Sequence, residues 1–284
     1  MDEPGLHLPP PWESALLRGT AARRLVVLGP TDVGKSRFID ALAARRPDAW
    51  LVDLDPGQKM IGAPGTAALG RHGGAMPERF VFLGSTAVGS FRALAAAGAE
   101  LAASTGPDPV IVNTPGHVAG AGARLQAMIL AALDPDLVVA IGAGRPLEAE
   151  LARLPALDRI AIEPSPFARR KTKGLRRAVR QAGFAAALAD AGQWSLSLGR
   201  VGFEPGAPQP TTGTARAVCA LADEEGEAME IAILIAKDAD RGTFLSRPPV
   251  RPPARILLGK MWAQPSESGW ILQERLAPSW EEAP

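Results

Sequence analysis

The sequence predicts an α/β protein: a mostly parallel sheet flanked by helices, followed by a smaller β-rich C-terminal domain. Three observations carry this. From residue 23 to about 189, short apolar runs alternate with helical patterns, as expected for strands buried on both faces and joined by right-handed crossovers. The first apolar run leads straight into Gly-Pro-Thr-Asp-Val-Gly-Lys-Ser at residues 29–36, a complete GxxxxGK[ST] phosphate-binding loop. After Asp190 the helical spacing stops, and β-like runs separated by Gly, Pro and acidic turns take over.

Taken in chain order, residues 1–20 read as a short leader, Pro-rich and then briefly helical around Glu13 to Leu17. It carries acids and a Leu-Pro-Pro-Pro run where a secretion signal would need an unbroken apolar core. Strands are expected at Leu25–Leu28, Ala49–Leu54, Phe80–Leu83, Val110–Asn113, Leu137–Ile141 and Arg159–Ile162. A helix over Ser36 to Arg45 places Phe38, Ile39 and Leu42 on one face. These elements define a domain over 21–189 that includes a basic lid at about 165–185. The second domain, 190–284, should hold strands at Trp194–Leu198, Ala215–Ala222, Glu230–Ala236, Arg255–Trp262 and Trp270–Glu274.

Composition narrows the function classes. At 284 residues and 46% hydrophobic content the chain has the make-up of a soluble globular protein. One cysteine, Cys219, and three scattered histidines, His7, His72 and His117, exclude a disulfide framework and supply no metal cluster. A reducing, cytoplasmic setting is expected. The longest apolar stretch, Leu94 to Ala103, is too short to cross a bilayer and contains Glu100, so no membrane partner is expected.

Ligands of parallel sheets gather at the carboxyl ends of the strands. There the loop amides and the positive end of the next helix face the phosphates, with Gly29 and Gly34 allowing a close approach. Lys35 should reach the β- and γ-phosphates and Ser36 should hold Mg²⁺. The nucleotide-holding set is thus Gly29, Pro30, Thr31, Asp32, Val33, Gly34, Lys35, Ser36 and Arg37. Asp32 either faces the γ-phosphate or points to solvent.

The second strand runs into Asp53-Leu54-Asp55-Pro56-Gly57-Gln58. If Leu54 is buried, the two acids share a face and Asp55 lies nearer the strand end. It can bind Mg²⁺ or accept a proton from a hydroxyl nucleophile. The strand Val110–Asn113 ends in Thr114-Pro115-Gly116-His117, with Asn113 where a GTPase carries its γ-phosphate-sensing acid. No guanine-reading Asn-Lys-x-Asp is present, so adenine nucleotides are favoured. His117 either stacks on a base or is a surface histidine. Phe80–Leu83 leads to Gly84-Ser85-Thr86, read as a turn with room for a phosphate contact.

The net charge of +1 hides one asymmetry. Arg169, Arg170, Lys171, Lys173, Arg176, Arg177 and Arg180 give residues 169–180 seven positive charges without an acid, leaving the rest net acidic. A helix through them would align Arg169, Lys173, Arg176 and Arg180, a stripe suited to transferring phosphate or a nucleic-acid backbone.

In the order Gly29 to Ser36, Asp53 to Gln58, Phe82-Leu83-Gly84-Ser85-Thr86 and Asn113-Thr114-Pro115-Gly116, the chain resembles the polynucleotide 5′-hydroxyl kinase family of P-loop NTPases. That family includes the kinase subunit of the pre-mRNA cleavage complex and the ribosomal RNA processing kinases. The resemblance spans about residues 23–275. It implies transfer of the ATP γ-phosphate to the 5′-hydroxyl of RNA or DNA, RNA being favoured, with ATP and Mg²⁺ as cofactors. Asp55 aligns with the acid that activates the hydroxyl, Lys35 with the phosphate lysine, and Arg170 and Arg176 with the lid arginines. Gln58, Thr114, His117 and Arg177 fall to the substrate side. Two departures stand out: His117 replaces the family's tryptophan, and Arg170 and Arg176 are six apart with Gly174 between them. Two other uses of the same loop are an ATPase switch that drives partner assembly and a non-catalytic ATP-binding scaffold.

Overall fold

The computed structural model describes residues 9–74, 76–155, 157–203, 216–267 and 269–273. Residues 1–8 of the expected leader, and Ala215 and Glu274 at the ends of two expected strands, lie outside them. In chain order the elements are α1 (Pro10–Ala21), β1 (Arg24–Leu28), α2 (Lys35–Arg45), β2 (Trp50–Asp53), β3 (Thr66–Arg71), β4 (Arg79–Phe82), α3 (Phe91–Ala103), β5 (Val110–Asn113), α4 (Ala121–Leu133), β6 (Leu137–Ile141), α5 (Arg145–Leu151) and β7 (Arg159–Ile162). They continue with α6 (Lys173–Ala187), β8 (Gly192–Ser197), β9 (Gly202–Phe203), β10 (Ala217–Ala222), β11 (Ala228–Lys237), β12 (Arg241–Ser246), β13 (Arg255–Ser266) and β14 (Gly269–Gln273).

These form two compact units. The first comprises residues up to Asp55 together with Ala67–Glu78 and Ser90–Lys173. Its strands run in the order β3-β2-β5-β1-β6-β7. β2, β5, β1, β6 and β7 are parallel, and β3 alone runs antiparallel, against β2. β1 lies between β5 and β6 with Leu25 to Leu28 buried, so the loop leaving it opens where crossovers diverge to either side, the ligand crevice of such sheets.

The sequence reading missed β3, whose Thr-Ala-Ala-Leu-Gly-Arg is low in β-branched and aromatic residues. Its small side chains are what a strand packed on both faces can accommodate, and five of its six residues are buried.

Helix α1 is part of this unit's core rather than a leader. Trp12, Ala15, Leu16 and Gly19 are buried, the Trp12 ring meets Phe38 edge-on at 5.6 Å, and Arg45 pairs with Glu13 at 2.9 Å. The stretch looks like a leader because prolines precede it. Pro10 nevertheless starts the helix where a missing N–H costs nothing.

The second unit gathers Pro56–Thr66, Arg79–Gly89 and Gly174–Pro284. Its sheet runs β14-β13-β10-β11-β12-β8, with β9 beside β13. Pairing is antiparallel except between β9 and β13. The sequence reading did not include β12, which pairs with β11 and β8. The change of texture comes at 190, whereas the compact division falls at Lys173/Gly174, because α6 is docked on this sheet. Phe184 packs with Val218, Ala220, Ile233 and Met261, and Gln181 exchanges hydrogen bonds with the Trp270 carbonyl and the Leu272 N–H.

Candidate functional site

The phosphate loop joins β1 to α2 through backbone that only a few residues can adopt. Gly34 has φ +105°, and a Cβ there would lie 2.8 Å from Trp12 Cη2. At Gly29 a Cβ would come within 2.2 Å of the Ile141 carbonyl oxygen. Asp32 takes φ +63° without being glycine, which an Asp side chain tolerates best among non-glycines. Its carboxylate accepts a 3.1 Å hydrogen bond from the Lys171 N–H. Of the two expectations for Asp32, neither describes this: it anchors the segment after β7.

Lys35 opens α2 with its side chain turned back into the loop. Nζ donates to the Gly29 and Pro30 carbonyls, both at 2.8 Å, and the residue is 8% exposed. Burial lowers its pKa to about 8, and the carboxylates of Asp55 and Asp32 oppose that shift. The amine is therefore a buried cation short of negative charge, as a phosphate site requires. Ser36 and Arg37 follow on the exposed side of the first turn of α2, where the helix leaves its N–H groups unpaired. The left-handed glycines, the inward lysine and these N–H groups fit a nucleotide's phosphates, and Ser36 and Asp55 supply the hard oxygen ligands suited to Mg²⁺.

At the end of β2 the two acids part company. Leu54 is buried, as the shared-face argument required. Asp53 is fully buried, and its Oδ1 accepts from Asn113 Nδ2 at 2.9 Å and from the Asp55 N–H at 3.2 Å. Asp55 is half-buried and close enough for its charge to act on Lys35. Asp53 is thus a fixed point beneath the site and Asp55 the acid that faces it.

The turn after β5 lies against the loop. A Cβ on Gly116 would sit 2.6 Å from the Thr31 nitrogen, so only glycine allows this approach. Thr114, expected to touch substrate, is instead buried, with Oγ1 donating to the Val27 carbonyl at 3.0 Å, a tie between β5 and β1. His117 is exposed. Gln126, which the sequence reading missed, is buried on α4 and donates to the Pro115 and His117 carbonyls at 2.8 and 3.1 Å. Its signal was a lone amide on an otherwise apolar helix face.

The basic segment divides between the units. The helix begins only at Lys173, so Arg169, Arg170 and Lys171 precede it and the expected single helical stripe is not formed. The segment before it is tied to the phosphate loop instead: the Lys171 N–H donates to the Asp32 carboxylate and the Ser165 N–H to the Val33 carbonyl, at 3.2 Å. Arg170 is exposed in the first unit, on the strap that crosses the loop. Arg176 and Arg177 lie on α6 in the second unit with Gln58, whose Nε2 donates to the Gly57 carbonyl at 2.9 Å and the Arg176 carbonyl at 3.4 Å. Gly84 also belongs there, its Cα side closed off by Gly259. Among the described residues no cluster of three or more His, Cys, Asp or Glu could hold a metal by itself, and no helix is long and apolar enough to cross a membrane.

Residues 29–186 match the family described as mRNA cleavage and polyadenylation factor CLP1 P-loop. The polyribonucleotide 5′-hydroxyl-kinase of Methanocaldococcus jannaschii is 31% identical over 137 residues, 42% of this chain and 37% of that protein. Its counterpart from Thermococcus kodakarensis is 32% identical over 140 residues, 42% of this chain and 38% of that protein. The chain therefore matches under two-fifths of the length of these relatives. Among solved structures, a wild-type Clp1p–Pcf11p complex superposes with a TM-score of 0.71 at 12% identity, covering 88% of this chain and 78% of that one. A second structure of the Pcf11p–Clp1p interface gives 0.70 at 11%, covering 88% and 77%. At such identities these two speak to the fold alone. Matched over more than half its length and carrying the phosphate loop intact, the chain belongs to the CLP1 P-loop family.

Proposed function

We propose that this protein is an ATP- and Mg²⁺-dependent polynucleotide 5′-hydroxyl kinase, acting on RNA ends in preference to DNA. The observation that carries the reading is the pairing of a buried phosphate lysine, Lys35, with a half-buried acid, Asp55, at one sheet edge. The relatives named polyribonucleotide 5′-hydroxyl-kinase support the choice of acceptor.

In this reading Asp55 accepts the proton of the 5′-hydroxyl as its oxygen bonds to the γ-phosphorus. The bond from that phosphorus to the bridging oxygen of ADP breaks, and ADP leaves. Lys35 and the loop amides hold the β- and γ-phosphates in line, and Arg170 or Arg176 meets the charge on the transferring group, with Arg177 on the acceptor side. Gln58 and His117 are the acceptor-side contacts. Ser36 and Asp55 would hold Mg²⁺, which would supply positive charge to neutralise the phosphates. Cys219, buried with its thiol pushed up to about 12, has no disulfide role, in keeping with a cytoplasmic protein.

The test is transfer from γ-labelled ATP to 5′-hydroxyl RNA and DNA oligonucleotides. Acceptor-dependent label that vanishes in Lys35→Ala and Asp55→Asn is the expected result. Phosphate release indifferent to oligonucleotide would instead make the protein an ATPase switch, and tight ATP binding without turnover a scaffold.

A further inference from the structure

The edge strand of a sheet leaves a row of N–H and C=O groups that will take up another strand, and folded chains normally guard it with charge, proline, a bulge or a cover. In the second unit β14 is guarded in this way: its Trp270 carbonyl and Leu272 N–H are taken by the Gln181 side chain at 2.7 and 2.9 Å. In the first unit β7 is only four residues long and follows Asp158, which is paired with Arg18. β8, at the opposite end of the antiparallel sheet from β14, has none of these protections. Residues 191–199 read Ala-Gly-Gln-Trp-Ser-Leu-Ser-Leu-Gly, without charge or proline. β8 pairs with β12 over all six of its residues with no shift of register.

That register fixes which of its main-chain groups are free. The Leu198 N–H donates to the Asp240 carbonyl at 2.7 Å, directly beyond the Ser197–Arg241 pair. Because main-chain bonding alternates along an antiparallel pair, Leu196, Trp194 and Gly192 also turn their N–H and C=O toward β12, and Gln193, Ser195 and Ser197 turn theirs outward. Trp194 and Leu196 pack their side chains against the sheet's core, whereas Gln193, Ser195 and Ser197 are exposed. The free edge is therefore a run of outward-bonding residues with uncharged polar side chains.

The charges at its two ends say what fits it. Asp190 precedes the strand and Arg200 follows it, equally far from Ser195. Both are exposed, and neither is in an ion pair among the described residues. A second copy of the strand, turned about a two-fold axis through Ser195, sets Ser195 against its own counterpart and Gln193 against Ser197. Each of these pairs joins outward-bonding residues and exchanges both main-chain bonds, about six in all. The same register brings the Asp190 end of each strand to the Arg200 end of the other, so charge is matched at both ends and absent between them.

We propose that β8 is a self-association edge: two copies of this chain pair antiparallel through β8 about Ser195, joining their C-terminal sheets into one. The inference stands apart from the kinase reading and needs no nucleotide.

The test is sedimentation velocity at about 2 to 200 µM on wild type, Ser195→Lys, Ser195→Glu and Arg200→Glu, with thermal unfolding to show that each variant keeps the fold. Wild type should pass from monomer to dimer over this range. Ser195→Lys and Ser195→Glu each set like charges against one another at the axis and should weaken the dimer by about tenfold or more, whereas an equimolar mixture of the two should associate again as a mixed pair. Arg200→Glu, which lies outside the strand and opposes Asp190 of the other copy, should weaken it by about threefold. A wild type monomeric at the highest concentration would overturn the proposal and leave the edge to a strand of another protein. A dimer untouched by either charge at Ser195 would place the interface elsewhere, and a mixture no more associated than its separate components, or an unchanged dimer in Arg200→Glu, would remove the two-fold register; each overturns it.

Discussion

Asp53 and Asn113 stand side by side in the register of β2 and β5, and the Asn113 amide donates to the Asp53 carboxylate at 2.9 Å with both residues buried. Where a GTPase would carry an acid at the end of the β5 strand, this chain has an amide, and the acid stands on the neighbouring strand. The same carboxylate oxygen accepts the Asp55 N–H, so the amide fixes Asp53 and Asp53 fixes the backbone of the proposed base. Asn113→Asp would put two carboxylates within hydrogen-bond distance in a buried place. One of them must take a proton or the pair must separate. A loss of about 2–3 kcal/mol in urea unfolding at pH 7 is expected, and it should shrink toward pH 5. A variant as stable as wild type at pH 7 would show that the pair is not held as described.

The Lys35 pKa of about 8 sets a pH dependence for nucleotide binding. Phosphates favour the ammonium form, so ATP affinity should be flat below pH 8 and fall up to about tenfold per unit above it, until the pKa of the bound state is reached. Calorimetry between pH 7 and 9.5 reads this directly, and Lys35→Arg, always charged, should flatten the curve.

The same depressed pKa has a stability consequence. In the folded chain burial disfavours the charged lysine, so its contribution is unfavourable below about pH 8 and is relieved as pH rises from there toward the unfolded value of 10.5. Lys35→Met should therefore gain about 1–2 kcal/mol at pH 7, the carbonyls of Gly29 and Pro30 losing their donor in return, while phosphoryl transfer is lost. Denaturant unfolding at pH 7 and pH 10 should show the gain narrowing at the higher pH.

Gly116→Ala places a methyl 2.6 Å from the Thr31 nitrogen and 2.8 Å from its Cα. Backbone cannot yield as a side-chain tip can, so the loop must shift. Overpacking of this kind costs about 1–3 kcal/mol, and ATP affinity should drop by about tenfold or more with the circular dichroism spectrum unchanged.

Trp12→Ala tests whether α1 belongs to the phosphate-binding unit. Loss of a fully buried indole, its contact with Phe38 and its 2.9 Å hydrogen bond to the Glu163 carbonyl should cost about 3–5 kcal/mol. Because the ring also backs Gly34, ATP binding should weaken even at temperatures where the variant is folded.

The sequence was most readable where one short stretch makes both the element and the chemistry. Gly29 to Ser36 specifies its own turn, helix start and lysine, and β5 and β6 match their expected bounds because their apolar runs are buried on both faces. Readability failed where partners come from elsewhere in the chain. Thr114 looked like a ligand contact until Val27 took its hydroxyl. The arginine stripe looked like one helix, but its first three basic residues belong to a segment tied to the phosphate loop through Asp32 and Val33. Gln126 and β3 carried almost no local signal, because a buried amide and a run of small residues acquire meaning only from what surrounds them.

By itself, then, the sequence determined the fold class, the phosphate loop, the Asp-x-Asp strand end and the concentration of positive charge, since each follows from local periodicity or from a motif whose atoms are neighbours in the chain. Tertiary structure decided which acid is fixed and which is presented, that Trp12 lies behind Gly34, that the strap after β7 is tied to Asp32 and Val33, and that α6 docks on the antiparallel sheet. Those outcomes depend on strand register and long-range hydrogen bonds, which no window along the chain contains.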